Sequence, residues 1–92
     1  NNRPFVKKER HRNIDNAVLD AKGYPVENLM PFKARKHTCL WHDDSTASLH
    51  LYKDNSCFCH GACNRQYDAI DVYMKLNNVK FMEAVEALNK MA

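Results

Sequence analysis

The feature that most constrains this chain is a set of four cysteines with two histidines among them. Thiolate and imidazole groups at short spacings are the donors that tetrahedral zinc prefers. Such an ion also supplies folding free energy, which a chain of 92 residues with a small core needs. The pattern therefore predicts one structural zinc ion. The residues concerned are Cys39, His42, Cys57, Cys59, His60 and Cys63.

The ligands are predicted as two pairs, one from each end of a short hydrophobic stretch. Cys39 and His42 have the spacing that lets one tight turn direct both side chains to the same ion. Cys63 is the third predicted ligand. The fourth remains open at this point among three residues: Cys59, which we favour, His60 and Cys57. Four protein ligands close the coordination shell, so the site is expected to be structural and to leave no position for water chemistry.

Other chemistry for these cysteines is less consistent with the sequence. Disulfides suit secreted chains, whereas here the cysteines lie beside histidines and no secretory leader is recognised. A zinc deaminase needs a Glu two residues after the ligand His, but Asp44 is at that position. A redox role for Cys57 and Cys59 would require thiols that stay reactive when zinc is bound. We therefore expect reduced, zinc-bound cysteines and a cytoplasmic location.

The charge of the chain is unevenly distributed. Residues 1–36 hold nine Lys or Arg against four Asp or Glu, and residues 37–92 hold five against seven. A basic patch attracts polyanions because each neutralised phosphate releases counterions, although a charge run can also be only a solvated surface. No apolar run approaches the roughly 20 residues of a membrane helix. The charge distribution thus suggests a nucleic-acid partner without establishing it, and the lack of a long apolar run argues against a membrane helix.

Hydrophobic periodicity predicts an α+β fold, in which a small zinc ribbon packs against flanking α-helices. Residues 48–52 alternate as a strand, 53–56 form a turn, and 57–59 begin the return strand of an antiparallel hairpin. Helical spacing then follows from the predicted N-cap Asp68 to about residue 77, and again over 81–91. Residues 1–35 are predicted as a basic N-terminal arm and a short helix, and residues 36–92 as the ribbon with two C-terminal helices. The short helix over 13–22 should end at Gly23, with Ile14, Val18 and Leu19 on one face.

Several of these motifs occur together in one known family. From residue 36 to about 88, the sequence resembles the CHC2 zinc-binding domain of bacterial and phage primases of the DnaG type. The match in the first half is Cys39-Leu40-Trp41-His42-Asp43-Asp44-Ser45-Thr46-Ala47-Ser48-Leu49, and in the second half Asp68-Ala69-Ile70-Asp71-Val72-Tyr73 and Phe81-Met82-Glu83-Ala84-Val85-Glu86-Ala87-Leu88. Leu40 and Ala47 replace family prolines, and 64–67 replace a glycine-rich link. The segment from Cys59 to Cys63 is one residue longer than the family's second ligand turn.

The resemblance implies a zinc-dependent domain that recognises single-stranded DNA template for a primase of the primosome during DNA replication. Primer synthesis would lie in a separate catalytic domain, so this chain alone is not expected to be an enzyme. The chain fits either a fragment of a longer primase or a small stand-alone relative. Further partners would be that catalytic domain or a replicative helicase. The alternative is a zinc-ribbon interaction module that docks a replication partner such as a helicase or polymerase.

Binding a single strand requires cations for the phosphates and aromatic faces on which bases stack. His50 and Phe58, on or beside the hairpin, are two aromatic candidates. The residues predicted to contact nucleic acid are Lys33, Arg35, Lys36, Trp41, Tyr52, Lys53 and Arg65.

Overall fold

The computed structural model describes residues 15–43 and 45–91. The predicted arm over 1–12, Ile14 and Asp44 lie outside these ranges. Helix α1 covers residues 15–22 of the described chain, and a short 3-10 helix, Val26–Asn28, follows. The strands are β1 (Lys36–His37), β2 (Leu49–Leu51), β3 (Cys57–Cys59) and β4 (Gln66–Tyr67), and the last two helices are α2 (Ala69–Asn77) and α3 (Phe81–Met91).

The strands form one antiparallel sheet in the order β1-β2-β3-β4 within the described ranges. The central hairpin pairs Leu49 with Cys59 and Leu51 with Cys57, and all four of these side chains are buried. His50 and Phe58, which pair between them, point to the opposite face. This arrangement confirms the predicted α+β fold and hairpin. The outer strands β1 and β4 were not predicted.

Helix α2 contacts β4 and packs against α3, and buried side chains of both helices join those of the sheet in one core. Asp68 caps α2 by accepting a hydrogen bond from the Asp71 backbone N–H, and the Asp71 carboxylate accepts one from the Asp68 backbone N–H. Asn78 ends the helix in the left-handed conformation, with φ at 55°. The core between the two helices and the sheet contains Leu49, Ile70, Val72, Val85 and Leu88. Both predicted helices are therefore present near their predicted bounds.

Helix α1 packs on the same core, but with a different face from the predicted one. Ala21 is fully buried, Val18 is partly buried, and Leu19 is 65% exposed. Close approach explains the difference, because the Asn89 side-chain amide of α3 donates to the Ala17 carbonyl at 3.1 Å. The small alanine side chains allow this approach, and Leu19 of the predicted apolar face is left exposed.

The turn of the central hairpin is joined to the segment that follows α1. The Asn55 side-chain oxygen accepts from the Val26 backbone N–H at 2.9 Å, and its amide donates to the carbonyls of Tyr24 at 2.6 Å and Lys22 at 3.0 Å. Asn55 itself has φ at 68°, a conformation that Asn tolerates. None of the helices in the described residues has the length and apolar character needed to cross a membrane.

Candidate metal centre and sheet face

Four predicted ligands come together at one end of the sheet. Cys39 lies just beyond β1 and His42 in the loop after it, Cys59 ends β3, and Cys63 lies between β3 and β4. One ligand atom from each lies within 4.8 Å of all the others. The Cys39 and Cys63 sulfurs are 3.6 Å apart, and His42 Nε2 is 3.3 Å from the Cys59 sulfur.

These distances fit a tetrahedral zinc ion. Zn–S bonds of about 2.3 Å place two ligand sulfurs about 3.8 Å apart in a tetrahedron. The donor set of three thiolates and one imidazole is a common structural combination for zinc. Cys39 and Cys59 are buried and the other two ligands half-buried, so protein surrounds the site on most sides.

The fourth ligand, left open among Cys59, His60 and Cys57, depends on the face of β3 from which a side chain projects and on its position along the strand. Cys59 joins the ligand group, whereas Cys57, on the same face, is fully buried in the core and not part of it. Burial raises the pKa of the Cys57 thiol to about 11, which keeps it protonated. His60 projects from the opposite face, where its Nε2 lies 2.6 Å from the Tyr52 hydroxyl. The structure therefore supports Cys59.

The thiols of the site differ in how readily they lose a proton. Burial raises the pKa of Cys39 to about 12. Burial also acts to raise the pKa of Cys59, but hydrogen bonds, chiefly from His42, outweigh it and lower that pKa to about 6. A thiolate beside His42 is thus available to a cation, and zinc binding would release the remaining thiol protons.

A glycine allows the two ligand turns to approach each other. A β-carbon at Gly61 would lie 3.0 Å from the Ser48 hydroxyl oxygen and 3.4 Å from His42 Nε2. The second ligand turn therefore passes close to Ser48 and His42 at Gly61, where a side chain would crowd Ser48 and touch the ligand His42.

Trp41 and Arg65 lie on the ligand side of the sheet, where each has an intramolecular partner. The Trp41 and Tyr67 rings stack with centroids 3.6 Å apart and planes 1° apart, and the Arg65 guanidinium carbon lies 5.1 Å from the Tyr67 centroid. Burial and a hydrogen bond to Cys63 raise the pKa of the Tyr67 hydroxyl. This stack supports the ligand turns, and the predicted contacts of Trp41 and Arg65 with nucleic acid stay predictions.

The outer face of the sheet brings other predicted residues together. Register places Lys36, His50, Phe58 and Gln66 in one row, with one residue from each strand. We call this set the cross-strand row. His60 extends it, since its ring centroid lies 4.5 Å from that of His50 and 4.7 Å from that of Phe58. Tyr52, 43% exposed, is held at the end of this face by its hydrogen bond to His60.

The remaining predicted cations lie in two exposed turns. Lys33 and Lys36 pair across a tight turn that contains Arg35, whose Nε donates to the Leu51 carbonyl at 3.1 Å. Lys53 lies in the turn between β2 and β3. His60 and Gln66 were not predicted to lie on this face. Alternation with Phe58 along the chain indicates His60, although His60 is also a candidate ligand. Gln66 lies on β4, which has only two residues and gives no pattern.

A shallow concavity of about 380 Å³ opens beside this face. Its walls come from the hairpin and from β4. The lining residues are Tyr52, Asp54, Ser56, Phe58, His60 and Gln66.

The fold and ligand group define a zinc ribbon with a Cys-His-Cys-Cys site. Residues 25–92, well over half of the chain, match the model of the CHC2 zinc finger family. The chain therefore belongs to this family, the zinc-binding domain of DnaG-type primases. No curated protein and no solved structure gave a match. The family match and the ligand group together confirm the predicted zinc ion.

Proposed function

We propose that this domain binds single-stranded DNA as the template-recognition part of a primase and does not itself join nucleotides. The observation that carries the proposal is the cross-strand row, which aligns Lys36 with the rings of His50 and Phe58 on an exposed sheet face. Membership of the CHC2 family supports a role beside a primase catalytic domain.

The face combines the two groups that binding to a single strand uses. Tyr52, Phe58 and His60 offer ring surfaces, and base stacking on such rings contributes about 1–3 kcal/mol per base. Lys36 lies on the face itself, and the turns at its margins carry Lys33, Arg35 and Lys53. A strand that crosses the sheet could stack its bases on the rings while its phosphates meet these cations.

The test is fluorescence anisotropy of a labelled single strand titrated with the zinc-loaded domain across a salt series, with duplex DNA as competitor. We expect single strands to be preferred, binding to weaken steeply with salt, and chelation of zinc to abolish it. Phe58→Leu should weaken binding about fivefold or more, because it removes a stacking surface and keeps an apolar side chain. Lys36→Gln should reduce the salt slope by about one, whereas the exposed Lys90→Gln on α3 should not.

Protein docking is the second candidate, favoured by apolar side chains on the surface of α3. Phe81, Met82 and Met91 are each about 45% exposed. The partner would be a helicase, a polymerase or the primase catalytic domain. A folded, zinc-loaded domain that binds no single strand at low salt would contradict the DNA proposal and favour this one. Phe81→Ser should then weaken capture of the catalytic domain, whereas the outer-face variant Phe58→Leu should not.

A further inference from the structure

We infer that the concavity lined by Tyr52, Phe58 and Gln66 is a pocket for one unpaired nucleobase that carries an exocyclic amino group. The inference rests on the proposed binding of single-stranded DNA and adds a base preference to it. The class comprises adenine, cytosine and guanine, and the pocket discriminates against thymine.

The walls of the pocket are aromatic and fixed before any ligand arrives. The hydrogen bond of 2.6 Å between the Tyr52 hydroxyl and His60 Nε2 holds these two rings, whose planes are 65° apart. The Phe58 ring lies 4.7 Å from that of His60. The volume of about 380 Å³ lies in the range of about 300–1,000 Å³ that small-molecule sites occupy. A flat heterocycle can therefore stack there without the side chains having to become ordered first.

The polar rim of the pocket contains a fixed carboxylate. Asp54 Oδ1 accepts hydrogen bonds from the Ser56 backbone N–H at 3.1 Å and from the Ser56 hydroxyl at 2.5 Å. These bonds lower the pKa of Asp54, so the group is ionised at neutral pH and can only accept hydrogen bonds. Both bonds use Oδ1, so in the part of the chain that the structure describes Oδ2 accepts no hydrogen bond and Asp54 can offer it at the pocket rim. Gln66, across the pocket, has an exposed amide that both donates and accepts, and within the described residues no hydrogen bond occupies it.

Base selectivity follows from this arrangement of donors and acceptors. The exocyclic amines of adenine, cytosine and guanine donate hydrogen bonds, which a carboxylate accepts well. Thymine has no such amine. Its one donor on that edge, N3–H, lies between O4 and O2, so both of these acceptors would approach the carboxylate together with it. An unmatched polar contact of this kind disfavours the wrong base.

The charges around the pocket suit a nucleic-acid strand rather than a free base. Lys53 adjoins Asp54 in the hairpin turn, and Lys36 lies at the other end of the cross-strand row. A strand whose base enters the pocket would thus have cations near its phosphates on both sides.

The experiment compares a strand of about twelve deoxythymidines with strands in which one central thymine is replaced by adenine, cytosine or guanine. Anisotropy at one salt concentration gives the four dissociation constants. We expect each substituted strand to bind about fivefold or more tightly than the all-thymine strand, because a well-matched base contact is worth about 1–3 kcal/mol.

Asp54→Asn should reduce this ratio to near one, because an amide offers a donor to thymine as well as an acceptor. It also removes a negative charge, which strengthens binding to all strands alike, so the ratio is the readout. The matched control Glu86→Gln, on the exposed face of α3, should keep the ratio. Circular dichroism and zinc content establish that both variants are folded.

The outcomes separate this inference from the proposed function. Equal binding of all four strands, or a preference that survives in Asp54→Asn, would overturn the pocket and leave single-strand binding standing. Failure to bind any strand would overturn both.

Discussion

At the scale of single residues, the zinc site depends on the difference between two cysteines of one strand. Cys57 and Cys59 share a face of β3, and both side chains are fully buried. Cys59 lies beside His42, while Cys57 pairs with Leu51 and Tyr67 within the core. The same side chain therefore acts as a ligand at one position and as a small hydrophobic residue two positions earlier.

Replacing Cys59 should weaken zinc binding, whereas replacing Cys57 should leave it unchanged. Cys59→Ala removes a ligand, so we expect zinc affinity to fall by more than the 10–100-fold that a lost outer-shell partner typically costs. Cys57→Ala removes a core sulfur, so we expect it to bind one zinc ion as the parent does. Competition with a chromophoric chelator measures both affinities. If Cys57→Ala lost zinc and Cys59→Ala kept it, the ligand set would be wrong.

Part of the site was predictable from the sequence because short spacings report local geometry. The pair Cys39 and His42 follows from one turn, and Cys63 from the next. The face of β3 that meets the first turn separates Cys59 from His60, because successive strand residues alternate faces. Cys57 shares the face of Cys59, and only its position further along the strand separates the two. Local spacing carries no information on that tertiary contact. The same uncertainty concealed His60 as a member of the outer face.

At the scale of elements, the regular hairpin and the two C-terminal helices were predictable, and the outer strands were not. Leu49 and Leu51 alternate with polar neighbours, and Asp68 caps a clear helical pattern. Strands β1 and β4 have two residues each, too few for periodicity to register. They form because each edge of the central hairpin presents unpaired backbone N–H and C=O groups, which is a property of the assembled sheet.

The turn that precedes β1 contains backbone strain that a substitution should relieve. Ala34 and Arg35 have φ at 53° and 61°, and hydrogen bonds of 2.9 and 3.0 Å join Lys33 and Lys36 across them. This left-handed pair matches the type I′ turn, where glycine is preferred. Ala34→Gly should therefore raise the free energy of unfolding by about 1 kcal/mol, because alanine is disfavoured in this conformation.

Urea unfolding at saturating zinc measures the effect, since metal loss would otherwise dominate the transition. The control is Ala47→Gly, an exposed loop residue outside the left-handed region. It should be neutral or slightly destabilising, because glycine there adds only freedom to the unfolded chain. Equal effects of the two substitutions would show that the turn at Ala34 stores no relievable strain.

At the scale of the whole molecule, one side chain joins the N-terminal segment to the ribbon. Asn55 hydrogen-bonds to the backbone of Lys22, Tyr24 and Val26, and Val26 is fully buried. These bonds connect residues 22–26 to a hairpin turn some thirty positions later in the chain. Helix α1 and the ribbon are therefore expected to unfold together, although residues 1–35 were predicted as a separate region.

Removing the Asn55 side chain should uncouple these two parts. Asn55→Gly keeps the left-handed conformation and loses the three hydrogen bonds, which leaves the buried Val26 N–H without its acceptor. We expect a loss of about 1–3 kcal/mol in the free energy of unfolding. Faster amide hydrogen exchange at Val26 should accompany it.

The matched control is Asn64→Gly, because Asn64 has φ at 49° and is exposed. It makes the same chemical change at a left-handed position, away from the N-terminal segment. We expect it to leave exchange at Val26 unchanged. If both variants accelerated exchange equally, Asn55 would not be the link between the segment and the ribbon.

The stack of Trp41 on Tyr67 also gives the metal site an intrinsic fluorescence signal. Trp41 is the chain's single tryptophan and immediately precedes the ligand His42. All tryptophan fluorescence of the chain therefore comes from a ring beside the zinc site. Opening of the ligand turns would change the contact of this ring with Tyr67 and so change the tryptophan emission spectrum. The stack lies behind the sheet from the cross-strand row, so a dye on a DNA strand and the native indole report on different faces. Tryptophan emission and dye emission, at separate wavelengths, can thus report metal occupancy and strand binding in the same sample.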